Sequence, residues 1–189
     1  MLKIAGGEYR GRKLKAVPGE GTRPTSAMVR EALFNIVGPR RPDRVLDAFS
    51  GTGAIALEAL SRGAGQAVAI EQSARAAAVI AENAAALGAG DRIAIVRDEV
   101  LRALARRVPE PGFDLLFADP PYAFERWEEL LAALARVAGP GAIVAIEHAA
   151  DRPLPEAPAL EPVRAYRYGG TALSLFSRRS GPGGDPTPA

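Results

Sequence analysis

The sequence predicts an α/β domain with a mostly parallel sheet and helices on both faces. Three observations carry that expectation. From Arg44 onward short apolar runs alternate with helical periodicity; a glycine turn joins the first such run to the first helix; and the last two strand-like runs are separated only by Gly169-Gly170-Thr171. The alternation implies β-α-β crossovers, and the short final link implies a hairpin.

Taken in order, residues 2–17 are short, basic and punctuated by glycine, which suits a small β-hairpin. Residues 25–37 read as a helix with Met28, Val29, Ala32, Leu33, Ile36 and Val37 apolar. Strand 45–49 leads into helix 54–62, strand 67–71 into an alanine-rich helix 73–87 with Ser73 as its N-cap, and strand 93–97 into a helix with Leu101, Leu104 and Val108 on one face. Strand 113–118 follows. Trp127, Leu130, Leu131 and Leu134 repeat at helical spacing, making 125–138 amphipathic and placing Trp127 in the apolar stripe. Strand 142–147, a proline-rich crossing over 151–162 and a hairpin of 163–168 with 172–178 complete the pattern. We expect one domain over 1–179, with 1–40 as a basic hairpin-and-helix extension, 44–179 as the Rossmann-like core, and 180–189 as a disordered tail with almost no apolar content.

The composition excludes several chemistries. Without cysteine there are no disulfides, thiolate metal sites or cysteine nucleophiles, and a lone His148, expected on a surface or loop, makes no multi-histidine metal site. No apolar run approaches the roughly 18 residues of a membrane span, and the start lacks a signal-peptide core. A cytoplasmic monomer, apart from any membrane, is the expectation. Net charge is only +2, yet residues 1–30 carry seven basic side chains against two acidic ones, an asymmetry that suits either a polyanionic partner or a solvated arm.

Two short stretches carry chemistry. Asp47-Ala48-Phe49-Ser50-Gly51-Thr52-Gly53 reads as strand, tight turn and helix start, the place where open α/β sheets bind ligands. Glu71 ends the next strand, where it can accept ribose hydroxyls. The pattern fits NAD or S-adenosylmethionine. Asp47 favours the second, because a carboxylate there repels a pyrophosphate and attracts a methionine ammonium. Asp98 after the third strand suits an adenine amino group, or equally a helix N-cap.

The other stretch is Asp119-Pro120-Pro121-Tyr122. Two prolines hold the turn rigid and keep carbonyls out of any ladder. If the Asp119 carboxylate and the Pro120 carbonyl each accept an N–H of a nucleobase amine, that nitrogen can pyramidalise and attack an electrophile, while Tyr122 stacks on the base. The base must be unpaired or flipped out. The blander reading makes Asp119 a cap and Tyr122 packing.

Together the two stretches look like the amino-methyltransferases of nucleobases. Ile4-Ala5-Gly6-Gly7-Glu8-Tyr9-Arg10-Gly11-Arg12-Lys13-Leu14, Thr22-Arg23-Pro24-Thr25, Val29-Arg30-Glu31-Ala32-Leu33-Phe34-Asn35 and Tyr168-Gly169-Gly170-Thr171-Ala172-Leu173 narrow the likeness. The chain resembles the bacterial RsmD family, small-subunit ribosomal RNA guanine-N2 methyltransferases. The resemblance implies a class I methyltransferase fold of seven strands with the last antiparallel, S-adenosylmethionine as donor, and a guanine N2 amine of 16S rRNA, in the small subunit or an assembly intermediate, as acceptor. It carries over Asp119, Pro120, Pro121 and Tyr122 as the catalytic turn and Asp47, Ser50, Gly51, Gly53, Glu71 and Asp98 as the cofactor site, with Asp98 departing from the family's frequent Asn. Arg10, Arg12, Lys13 and Arg23 are then expected to grip RNA phosphates. A DNA adenine-N6 or cytosine-N4 methyltransferase and a catalytically silent RNA-binding assembly factor are the alternatives.

Overall fold

The structure, a computed structural model, describes residues 2–19, 24–108 and 112–179. Arg23 and the expected tail 180–189 lie outside the described residues. Helix α1 (Pro24–Val37) precedes β1 (Arg44–Ala48), α2 (Ala54–Ser61), β2 (Gln66–Ile70), α3 (Ala74–Leu87), β3 (Ile93–Val96), α4 (Val100–Arg106), β4 (Phe113–Ala118), α5 (Trp127–Val137), β5 (Ala138–Ala149), β6 (Leu160–Tyr168) and β7 (Thr171–Arg178). The seven strands lie in the order β3-β2-β1-β4-β5-β7-β6, and β7 runs antiparallel to both β5 and β6.

Successive residues of β1 and β4 point to opposite faces, and both faces are covered. Val45, Leu115 and Phe117 join the core beneath α1, α2 and α3, whereas Leu46, Leu116 and Ala118 join the core beneath α4 and α5. Continuous apolar runs in these strands are what two covered faces require. Strand β5 is twice the length of the 142–147 expectation, because Gly139-Pro140-Gly141, which reads as a turn, is absorbed into the strand at a register irregularity opposite Phe113 and Leu115.

The expected N-terminal hairpin pairs Lys3 with Lys13 in an antiparallel bridge, flanked by backbone bonds from Ile4 N–H to the Arg12 carbonyl and from Leu14 N–H to the Leu2 carbonyl, both 3.0 Å. Side chains of α2 anchor the hairpin to the rest of the molecule. Glu58, 0% exposed, accepts the N–H groups of Ala5 (2.7 Å) and Gly6 (2.8 Å), and Ser61 Oγ accepts that of Tyr9 (2.8 Å). Gly7 sits at φ +78°, where an added Cβ would lie 1.8 Å from the Ser61 carbonyl oxygen, so only glycine permits this approach. Ile4, Tyr9 and Leu14 thereby enter the same core as the sheet.

Strand register brings the chemistry to one edge. Val96, Ile70, Ala48, Ala118 and Ile146 are consecutive partners across five parallel strands. The residues that follow them, Arg97, Glu71, Phe49, Asp119 and Glu147, emerge side by side. Strand order reverses between β1 and β4, the switch point at which open α/β sheets bind ligands.

Candidate active site

The loop after β1 is wired from below by Asp47. Its carboxylate is 1% exposed; Oδ2 accepts the Ser50 hydroxyl (2.6 Å) and the Ala56 N–H (3.2 Å). Ala56 stands in the first turn of α2, whose N-cap Gly53 has no side chain to offer. Asp47 therefore caps the helix from within the strand. Burial pushes its pKa from 3.8 up to about 7, against the opposing hydrogen bonds of Ser50 and Ala56 and with added repulsion from the charges of Asp119 and Glu71.

Three alternate residues turn the chain. Phe49, Gly51 and Gly53 all have positive φ, at 64°, 55° and 76°. Phe49 is the costly member, since a non-glycine residue there is strained. Its ring meets that of Phe124 edge-on at 5.5 Å; Phe124 meets Trp127 at 5.3 Å, and Trp127 meets His148 at 6.5 Å. This chain of rings joins the glycine loop to the Asp119 turn and to the end of β5.

Glu71 leaves β2 and supports the loop. Oε2 accepts the Gly51 N–H (2.9 Å) and Oε1 the Ser73 N–H (2.8 Å), so each oxygen keeps a further acceptor position. Asp98 accepts the Glu99 N–H and pairs with Arg102 (2.6 Å) and Arg107 (3.2 Å). Desolvation opposes its ionisation, but the Glu99 N–H and the two guanidiniums outweigh that and lower its pKa. The cap of α4 is Glu99, which accepts the N–H groups of Leu101 and Arg102, so the capping alternative for Asp98 does not hold.

The Asp119 turn continues β4, and the Pro121 carbonyl closes it by accepting the Phe124 N–H at 2.8 Å. Beside it lies a cleft of about 310 Å³ lined by Asp119, Pro120, Pro121 and Tyr122, with Trp127, Glu147, His148, Arg152 and Thr171. Tyr122 is 72% exposed, and the Arg152 guanidinium lies over its ring at 5.5 Å. Trp127 packs against the core beneath α4 and α5 as expected, but it is half-buried and also forms a cleft wall, because α5 starts where the turn ends. His148 is the penultimate residue of β5 and half-buried, instead of lying on a free surface. Its Nδ1 faces the carbonyls of Ala149 (2.9 Å) and Arg152 (3.0 Å); carbonyls only accept, so Nδ1 carries the proton, and Nε2 lies 2.8 Å from Ser174 Oγ.

Glu147, His148 and Arg152 were not among the sequence-derived site residues. The available signal was the position of Glu147 and His148 in the last residues of β5, and of Arg152 just after it, beside β4, which requires knowing the strand order.

The basic arm lies elsewhere. Glu8 donates its N–H to the Ser61 carbonyl, and the Arg12 guanidinium donates to that of Ala86, at the C-terminal ends of α2 and α3. Both helices begin at the ligand edge. Arg10, Arg12 and Lys13 are exposed at the opposite edge of the sheet, away from the cleft.

A family described as Conserved hypothetical protein 95 matches residues 2–177. The chain belongs to this family, the RsmD family. Among its relatives, Ribosomal RNA small subunit methyltransferase D of Escherichia coli (strain K12) is 34% identical over 184 residues, 95% of this chain and 91% of that protein. The solved structure of Escherichia coli yhhF is 32% identical, with a TM-score of 0.83 over 94% of this chain and 97% of that one. A Pyrococcus horikoshii structure at 15% identity still gives a TM-score of 0.70 over 90% of this chain and 93% of that one, a likeness of fold alone. The fold of this RsmD family member is that of the class I methyltransferases. No helix among its described residues is long and apolar enough to cross a membrane.

Proposed function

We propose that the chain transfers a methyl group from S-adenosylmethionine to the exocyclic N2 amine of a guanine in 16S rRNA of the small ribosomal subunit. One observation carries the reading: the glycine loop and the Asp119 turn leave adjacent, register-matched strands, Ala48 beside Ala118, and open on one edge. Strands so paired lie about 4.8 Å apart, close enough for a donor on one turn and an acceptor on the other to meet.

The donor set suits the cofactor. Asp47, Glu71 and Asp119 lie close enough that the last two raise the pKa of the first. A site with that surplus of negative charge favours a sulfonium and an ammonium over a pyrophosphate. Glu71 has acceptor positions left for a ribose diol, and the space over Gly51 is open, with no atom within 4 Å of an added Cβ. When bound, the cofactor supplies an electrophilic methyl group.

The chain's own residues do the rest. The Asp119 carboxylate and the Pro120 carbonyl accept the two amine N–H groups, which frees the nitrogen lone pair from the ring, and the carboxylate is placed to take the proton released on transfer. Tyr122 and the walls formed by Trp127 and Pro121 hold the base flat beside them. The cleft admits one unstacked base, so the acceptor enters unpaired.

The test is incubation with labelled methyl donor and small subunits lacking the modification. Label in guanine N2 is the expected result; label in no guanine, or in naked DNA, overturns the assignment. Asp119→Ala abolishes transfer while leaving RNA affinity largely intact. Equal activity in that variant would favour a silent assembly factor.

A further inference from the structure

We propose that Arg152 and Arg167 grip the phosphodiester backbone of the acceptor RNA at the mouth of the cleft. The proposal rests on RNA being the acceptor, and it names the contact that positions the strand. The cleft does not end at Tyr122. A second depression of about 530 Å³, lined by Tyr122, Ala149, Asp151, Arg167 and Gly170, shares Tyr122, Ala149 and Gly170 with it, so one groove runs from Asp119 across Tyr122 to Arg167.

The two guanidiniums differ from the chain's ion-paired arginines. Arg62, Arg102, Arg107 and Arg126 are held in ion pairs, but among the described residues neither Arg152 nor Arg167 is. Arg152 rests on the face of Tyr122, and Arg167 donates to the Ala150 carbonyl. Both contacts orient a guanidinium without neutralising it. The planar fork that remains is suited to bidentate phosphate recognition.

The connecting loop is held in place beforehand. His148 Nδ1–H bridges the carbonyls of Ala149 and Arg152, and the Ala150 N–H donates to the Gly170 carbonyl at 2.9 Å. Charge is also graded along the groove. Asp119 and Glu147 line the cleft, whereas farther out the lining carries one carboxylate, Asp151, against the guanidiniums of Arg152 and Arg167. Such a gradient repels phosphate from the interior and holds it at the rim, which leaves the base to point inward. The described arm residues Arg10, Arg12 and Lys13 sit at the other edge of the sheet and cannot supply this contact.

The experiment measures affinity for a short single-stranded oligoribonucleotide by fluorescence anisotropy across a salt series. Each single-stranded phosphate contact contributes a slope of about 0.7 in log affinity against log salt. Arg152→Gln with Arg167→Gln is expected to flatten the slope by about 1.4 and to weaken binding at least tenfold at low salt, while the lysine pair retains most of the slope. Calorimetry with S-adenosylmethionine reports whether the variants keep the fold. An unchanged slope in the glutamine pair overturns the grip, as does an oligonucleotide that fails to bind the wild-type chain. If the glutamine pair loses its fold, a slope lost in the lysine pair overturns it and a retained slope supports it. Methyl transfer to small subunits is scored separately: a charge-dependent slope without transfer sinks the proposed function alone, and transfer with an indifferent slope sinks the grip alone.

Discussion

Asp47 holds the glycine loop by two hydrogen bonds while its burial resists ionisation, and the two effects make the site sensitive to pH. Its folded-state pKa of about 7 lies above the ordinary 3.8, so between those values the folded chain keeps a proton that the unfolded chain has released. Folding is therefore favoured at the acid end of that window, and this contribution is lost as pH rises through about 7. A bound cation reverses the preference, because it stabilises the carboxylate. We predict that wild-type melting temperature, relative to Asp47→Asn, falls from about pH 5 to pH 8, while calorimetric affinity for S-adenosylmethionine rises over the same interval. Parallel profiles for the two chains would remove Asp47 from both effects. The sequence shows the sign of Asp47 and its place before the turn. It does not show that the same oxygen caps α2, since that depends on how far the helix start folds back over the strand.

At the scale of elements, α1 to α5 and β1 to β4 were readable because their apolar residues repeat at the period each element needs and their ends carry breakers or caps, such as Ser73 before α3. The N-terminal hairpin is legible from its glycines and short length, but its docking on α2 is not written in its own residues. The visible clue was Glu58, the only charged residue in the otherwise apolar helix AIALEALS. Such a residue is buried only with partners, and here they are Arg62 at 2.8 Å, Arg30 at 3.7 Å and two backbone N–H groups. Burial pulls the Arg30 guanidinium below its ordinary pKa, with Glu58 opposing. Glu58→Ala should cost about 3–5 kcal/mol by leaving that charge buried alone, read as a lowered urea midpoint. A loss under about 1 kcal/mol would mean the segment holds without its anchor.

For the whole molecule, the decisive facts are which strand ends share an edge and which surface lies opposite. Neither is written locally: His148 joins the site because β5 lies beside β4, and Arg12 leaves it because the chain docks at the far ends of α2 and α3. The distance is large. The 14 residues of α3 rise about 1.5 Å each, which puts roughly 21 Å between the ligand edge and the carbonyl region that holds Arg12. A short strand seated in the cleft does not span that gap, whereas an assembled subunit presents phosphates over a far wider surface. The two basic regions should therefore separate by substrate. Replacing Arg10 and Lys13 by alanine is expected to leave oligoribonucleotide affinity within about twofold, yet to weaken binding to small subunits severalfold and flatten its salt slope. KM for subunits should rise with kcat unchanged, because the arm touches neither the reacting amine nor the donor. If the double variant loses oligonucleotide and subunit binding equally, the arm reaches the cleft and the two-edge arrangement is wrong. If it loses neither, the surplus of positive charge in the first 30 residues is a solvated arm with no RNA contact.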